Sequence, residues 1–212
     1  MSAKYEFVPG DTITIGLGCT LKRIRALTAI ATKGVAPGNI GGYIEHEKNL
    51  AQLSGDAWVS GDARVYGNAQ VYGNAQVYGD AQVSDNARVY GDAQVYGDAQ
   101  VYGNARVSGD AQVSGDAQVY GNAQVSGNAQ VSGNGLIFWA SKVGTENGTL
   151  TVYNTKDSTL QVTRGCFIGT VDEFLAASER RQDDDTHFEY RLLIEVAHSR
   201  IARARAKLEG GQ

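Results

Sequence analysis

Several residue types are scarce in this sequence, and each shortage closes off a class of protein. Two cysteines in 212 residues, Cys19 and Cys166, are too few for a disulfide framework, so reduced thiols in a cytoplasm are expected. Cys166 follows Gly165 in an apolar context with no histidine partner in view, and a buried, inert thiol is expected there. Two prolines, Pro9 and Pro37, exclude collagen, which needs abundant proline and glycine at every third position. No apolar run approaches the ~18 residues of a membrane span. The opening Met1-Ser2-Ala3-Lys4-Tyr5-Glu6 leads into no long apolar stretch, so it does not read as a signal peptide. A net charge of −4 argues against general nucleic-acid binding, which draws its affinity from phosphate contacts.

Glycine, by contrast, is abundant, with 27 residues, and it is periodic. Residues 53–135 contain no Lys, Glu or His and repeat a six-residue unit of the form Val-Tyr-Gly-Asp-Ala-Gln. An aliphatic residue recurs at Leu53, Val59, Val65 and every sixth position to Val131. Ala follows four residues later, from Ala57 to Ala129, and Gly precedes each Asp or Asn except at Asp85. Such repetition governs the fold. A period of six does not fit a helix of 3.6 residues per turn. Each unit supplies one short strand with Val inward and its neighbours outward, then a turn whose positive φ suits Gly and is tolerated by Asn or Asp.

Three such sides close a coil of 18 residues, and coils stack at the ~4.8 Å spacing of paired strands. Positions 18 apart should then be related. The turn residue is identical in 7 of 11 pairs at a lag of 18, against 6 of 13 at a lag of 6 and 4 of 12 at a lag of 12. One corner reads Asn68, Asn86, Asn104, Asn122, and another reads Asp62, Asp80, Asp98, Asp116.

The pattern aliphatic-x-Gly-Asn/Asp-Ala-x resembles the hexapeptide repeat of the left-handed parallel β-helix superfamily. The lead-in Gly41-Gly42-Tyr43-Ile44-Glu45, then Asn49-Leu50, then Gly55-Asp56-Ala57-Trp58-Val59, resembles its YdcK-like enterobacterial and phage members. The resemblance covers roughly residues 24–138. It implies a mainly β fold, a left-handed parallel β-helix of between four and five coils, and a homotrimer. A fold of this kind hosts many functions.

The chain divides into an N-terminal β cap and lead-in (1–52), the β-helix (53–138), and a C-terminal β-hairpin or meander followed by two helices (139–212). A solenoid needs a cap over its open apolar end, and residues 1–52 are expected to provide one. Beyond the coils, Asn147-Gly148 signals a hairpin turn between Leu136–Ala140 and Thr149–Tyr153, and Thr159–Thr163 is a further strand. Thr170-Val171-Asp172-Glu173 forms a capping box for a short helix. A longer helix follows Asp183-Asp184-Asp185, with Tyr190, Ile194, Ala197, Ile201, Ala204 and Leu208 on one stripe. That stripe packs on its own sheet or on sister chains, and its own sheet is preferred because two heptads are short for a coiled coil. The tail from 136 on also resembles a segment of phage proteins.

Catalytic signatures are few. Acyltransferases of the resembling superfamily use a histidine base in a cleft between protomers, whereas His46, His187 and His198 all lie outside the coils. The repeats also run without the insert loop that would help clasp coenzyme A. Gly16-Leu17-Gly18 lacks the third glycine of a dinucleotide fingerprint. Asp183-Asp184-Asp185 with His187 is expected to be a solvated helix start rather than a metal site. The Asp62 column is expected to accept turn amides. No catalytic residue, metal or cofactor is assigned.

The outward faces say more. A register of 18 places Tyr72, Arg88, Tyr90 and Arg106 on one face, Arg64, Tyr66, Tyr102 and Tyr120 on a second, and Tyr78, Tyr96 and the Gln76 column on the third. Paired Arg suits phosphate and Tyr suits a stacked base. The competing reading is that these Arg residues balance nearby Asp while the Tyr rows only solidify the sheet. The expected function is a non-enzymatic oligomeric binding protein, phage-encoded and holding a small anionic nucleotide signal of host defence at clefts between protomers. Arg88, Arg106, Tyr72, Tyr90, Asn86 and Asn104 are the candidate ligand residues. The alternatives are a structural or assembly β-helix, such as a tail or scaffold spacer, and an acyltransferase-like enzyme.

Overall fold

The computed structural model describes residues 3–16 and 18–210, with the Asn134 side chain left out. Leu17, inside the glycine pair considered above, lies outside the described residues, as do Met1 and Ser2 of the opening segment.

The hexapeptides fold as thirteen rungs of two or three residues, from Trp58–Val59 to Gln130–Ser132. Every rung pairs in parallel with the rung 18 residues away, as in Gln76↔Gln94 and Gln94↔Gln112. Three flat faces result. One carries the rungs at 64, 82, 100 and 118, a second those at 70, 88, 106 and 124, and a third those at 58, 76, 94, 112 and 130. The valines from Val59 to Val131 and the alanines from Ala57 to Ala129 are sealed in the axis, at 1% exposure or less. Main-chain amides bond the next coil at the strands (Ser60 N to Val77 O, 2.9 Å) and at the corners (Asp62 N to Gly79 O, 2.9 Å). This parallel β-solenoid of about five turns is the expected architecture.

The corner glycines hold φ near +70°. A Cβ on Gly73 would sit 3.0 Å from the Gly91 nitrogen of the next coil, so both backbone conformation and stacking favour glycine there. Asp85 tolerates the same region at φ 60°, and its Oδ2 accepts a 3.0 Å bond from Gly103 N.

The first coil corrects the sequence register. Leu53, placed first in the aliphatic series, is 63% exposed. Leu50, fully buried, takes its place and bridges Val71. The cause is a single 3₁₀ turn at Glu47–Asn49. Asn49 is buried, accepts from His46 N through Oδ1 (2.7 Å), and donates to Ala69 O (2.8 Å), anchoring the turn to the next coil. The residues after Leu50 bulge outward, and Gln52 ties them to the N-terminal strand. Its Oε1 accepts from Lys4 N and Tyr5 N, and its Nε2 donates to Tyr5 O.

In the N-terminal segment β2 (Cys19–Ala26) pairs antiparallel with both β1 (Tyr5–Ile15) and β3 (Ile40–Ile44). β3 then pairs in parallel with the Arg64 rung, so the first face extends without a break into the N-terminal segment. Tyr5 is buried, and its hydroxyl donates to Leu50 O and Glu47 O, each at 3.1 Å. Buried Ile24, Tyr5 and Trp58 join the core at this end.

At the other end, β4 (Ile137–Val143), β5 (Gly148–Asn154), β6 (Leu160–Arg164) and β7 (Phe167–Thr170) form an antiparallel sheet. Its inner face meets the last coil. Gln124 N donates to Thr151 Oγ1, Thr163 Oγ1 donates to Gln124 O, and Ser126 N donates to the Tyr153 hydroxyl. These side chains satisfy backbone groups that a further coil would have paired, which protects an otherwise open strand edge. The other face carries α1 (Val171–Arg181) and α2 (Asp184–Glu209). The Thr170/Glu173 box caps α1 as the sequence implies, and Asp183 caps α2 by accepting from Thr186 N. Tyr190, Ile194, Ala197 and Ile201 of the α2 stripe are buried against the chain's own sheet, while Leu208 at its end is exposed.

Cys166 is exposed rather than buried. It lies with Gly165 in the two-residue hairpin between β6 and β7, closed by Arg164↔Phe167, so it lies outside the sheet core.

Candidate functional site

The rungs that carry the candidate residues are neighbours. Arg88 and Arg106 face each other in register across adjacent coils, with Gln70 below and Gln124 above. Alternation along each rung turns Val71, Val89, Val107 and Val125 inward and these side chains outward. Both arginines are exposed. Among the described residues the ion pairs involve Arg23, Arg25, His46 and Arg164, and none involves Arg88 or Arg106.

Tyr72 and Tyr90 stack with ring centroids 5.0 Å apart and planes within 1° of parallel. Burial raises the Tyr72 phenol above its usual range. Tyr90 adds to the effect, and the positive charges of Arg88 and Arg106 oppose it. Each ring covers one face of the other, so no flat group enters between them. In the next coil Ser108 occupies the position 18 residues beyond Tyr90, leaving a short side chain above the outer face of Tyr90. A shallow hollow of about 260 Å³ at the N-terminal end of this face is lined by Lys48, Ala51, Gln70, Val71 and Tyr72. Lys48 and Ser108 were not singled out from sequence. Lys48 reaches the face only because the Asn49 turn begins the first coil, and Ser108 matters through the tyrosine it replaces.

Asn86 and Asn104 occupy the corner beside this face and belong to a ladder. Asn68 Nδ2 donates to Asn86 Oδ1 (3.2 Å), Asn86 Nδ2 to Asn104 Oδ1 (3.3 Å), and Asn104 Nδ2 to Asn122 Oδ1 (3.1 Å). The ladder uses one carbonyl lone pair and one N–H of each, leaving one N–H for anything outside the chain.

The remaining candidates are placed as follows. His46 is exposed, with Nε2 3.4 Å from Glu45 Oε1. His187 Nδ1 lies 3.2 Å from Ser178 Oγ, while Asp183 caps α2. Among the described residues no group of three or more His, Cys, Asp or Glu could hold a metal. The Asp column departs from expectation. Asp62 pairs with Arg23 at 3.5 Å, while among the described residues Asp80 and Asp98 accept no turn amide, since corner amides such as Asp80 N bond the next coil (Gly97 O, 3.0 Å). Among the described residues no helix is long and apolar enough to cross a membrane.

The family model described as the YdcK Beta solenoid repeat matches residues 51–67, 57–73, 81–97, 99–115 and 117–133. No curated protein matches the chain. A hexapeptide register, three parallel faces and these matches agree, and the β-solenoid over residues 51–133 is similar to the YdcK repeat.

Proposed function

We propose that this protein is a non-enzymatic binding protein that holds a small anionic ligand of the nucleotide class on the face bearing Arg88 and Arg106. One observation carries the reading: two exposed arginines in register on adjacent coils, with no carboxylate partner among the described residues. Like charges one strand spacing apart repel, and a bound anion relieves that cost. Two guanidinium groups at this spacing suit phosphate oxygens. The outer face of Tyr90, beneath Ser108, offers a platform for a base, and the free N–H groups of Asn86 and Asn104 line the adjacent corner.

The same reading has three copies packing their flat faces side by side, so that a neighbour's corner closes the open side of the site. Stoichiometric capture of this kind, rather than turnover, is what a phage-encoded protein that blunts a nucleotide signal would need. The covered ends of the solenoid favour this over a spacer built by end-to-end stacking.

Calorimetry against mono-, di- and cyclic nucleotides tests the reading. Loss of one charge-assisted bond costs roughly 1.5–3 kcal/mol, so Arg88→Ala is expected to weaken binding about tenfold or more. Wild-type protein that binds none of these ligands, or binding that Arg88→Ala leaves unchanged, refutes it. Light scattering at three times the 22.5 kDa chain mass is the expected companion result, and a monomer mass removes the trimer.

A further inference from the structure

Two hollows adjoin near the C-terminal end of the solenoid, on a different face from Arg88. One, of about 390 Å³, lies among Gln118, Tyr120, Phe138 and Trp139. The other, of about 630 Å³, lies between the last corner and the end of α2, with Leu136 and Ala204 among its apolar lining. Arg200 lines both, and the two hollows flank this side chain as the two chemically distinct ends of one candidate groove.

The first end is aromatic. Trp139 meets Tyr120 edge-on, with centroids 4.5 Å apart and planes at 87°. Tyr120 is stacked on Tyr102 at 4.9 Å, and Trp139 stays partly exposed. The second end is cationic. Arg200, Arg203 and Lys207 stand at i, i+3 and i+7 of α2, which puts them on one side of the helix. All three are exposed, and none is ion-paired among the described residues. Arg203 Nε donates only to Ser199 O of its own helix (3.2 Å). Among the described residues Asp116 is the one carboxylate lining the groove. Cations near a helix C-terminus suit its dipole on their own, but the dipole gives no reason for an indole and a phenol to border the same groove.

We infer that this groove binds a nucleoside di- or triphosphate, with the base against Trp139 and the phosphates along Arg200, Arg203 and Lys207. Seven residues of helix rise about 10 Å, a length that accommodates two or three linked phosphates. Asp116 offers an acceptor to a hydroxyl or amine of the same ligand. The inference concerns a separate site and stands or falls independently of the Arg88 face.

The test is titration of the full chain with ADP, followed by calorimetry and by tryptophan fluorescence. Trp58 is buried at 3% exposure, so a ligand-dependent change reports Trp139. ADP is expected to quench the fluorescence saturably. The Arg203→Ala/Lys207→Ala double variant, altered only at exposed positions, is expected to bind at least tenfold more weakly with unchanged circular dichroism, and Arg88→Ala to keep the Trp139 quench, which reports this site alone. No saturable binding of ADP, or equal binding by the double variant, overturns the site. Binding lost in Arg88→Ala and kept in the double variant also overturns it, while leaving the Arg88 reading intact.

Discussion

Two leucines three residues apart give the sharpest test of how the solenoid begins. Either Leu50 or Leu53 could supply the first aliphatic of the coil. In the structure Leu50 is sealed beneath Val71, and its carbonyl accepts the Tyr5 hydroxyl. Leu53 is largely in solvent, in the bulge tied down by Gln52. Truncating a buried leucine removes its transfer free energy and leaves a cavity, together costing about 2–5 kcal/mol. Leu50 has the next coil on one side and Tyr5 on the other, so the site has little room to collapse, and the upper half of that range is expected. Truncating an exposed leucine stays within about 0.5 kcal/mol. Urea unfolding followed by circular dichroism should show a large fall in midpoint for Leu50→Ala and almost none for Leu53→Ala. Amide exchange should show the Leu50→Ala loss concentrated in the first coil and in β1. A midpoint for Leu53→Ala at or below that of Leu50→Ala would refute the register of the first coil, and with it the role of the Asn49 turn.

Two further outcomes follow from burial. Val95→Asp places a carboxylate at a fully buried site between Val77 and Val113, where it has no partner. The solenoid should fail to fold cooperatively, and a soluble variant with a wild-type melting transition would contradict the inward register. Lys4 is 7% exposed, and burial lowers its ammonium to about 8 from 10.5, with Asp56 pulling the other way. Between those values the unfolded chain binds more protons, so stability should rise with pH. Burial raises the Tyr5 phenol, which acts oppositely at higher pH, so the comparison belongs between about pH 7.5 and pH 9.5. Melting temperatures should climb across that interval in wild type and stay flatter in Lys4→Met, and equal slopes would remove Lys4 as the cause.

Where physics is local, the sequence was explicit. The 18-residue relation of Asn68, Asn86 and Asn104 is the ladder of side-chain amides seen at that corner. The capping box at Thr170 and the Asn147 turn follow from bonds made within a few residues. A strict period of six admits Leu53, while the turn that displaces it depends on Asn49 finding Ala69 O and Gln52 finding Tyr5. Thr151 and Thr163 look like solvent-facing strand positions, yet both are buried because they meet Gln124 of the last coil. The Arg88–Arg106 pairing was legible from the register alone. The groove beside Trp139 was not, because it joins a coil corner to a helix more than eighty residues later in the chain.

The stacking of coils on a repeat of 18 residues also constrains how such a gene can change length. Each coil meets the next through the same main-chain bonds, so duplication or loss of one 18-residue block leaves every junction of the same kind. Such an event lengthens or shortens the rod by ~4.8 Å and leaves β3 and the C-terminal sheet on the faces they now occupy. Gain or loss of six residues would instead turn one end by a third of a revolution relative to the other. Unequal recombination among these near-identical hexapeptides should therefore yield viable length variants in steps of three repeats. Loss of one coil that includes Arg88 or Arg106 would keep both ends while removing one arginine of the pair.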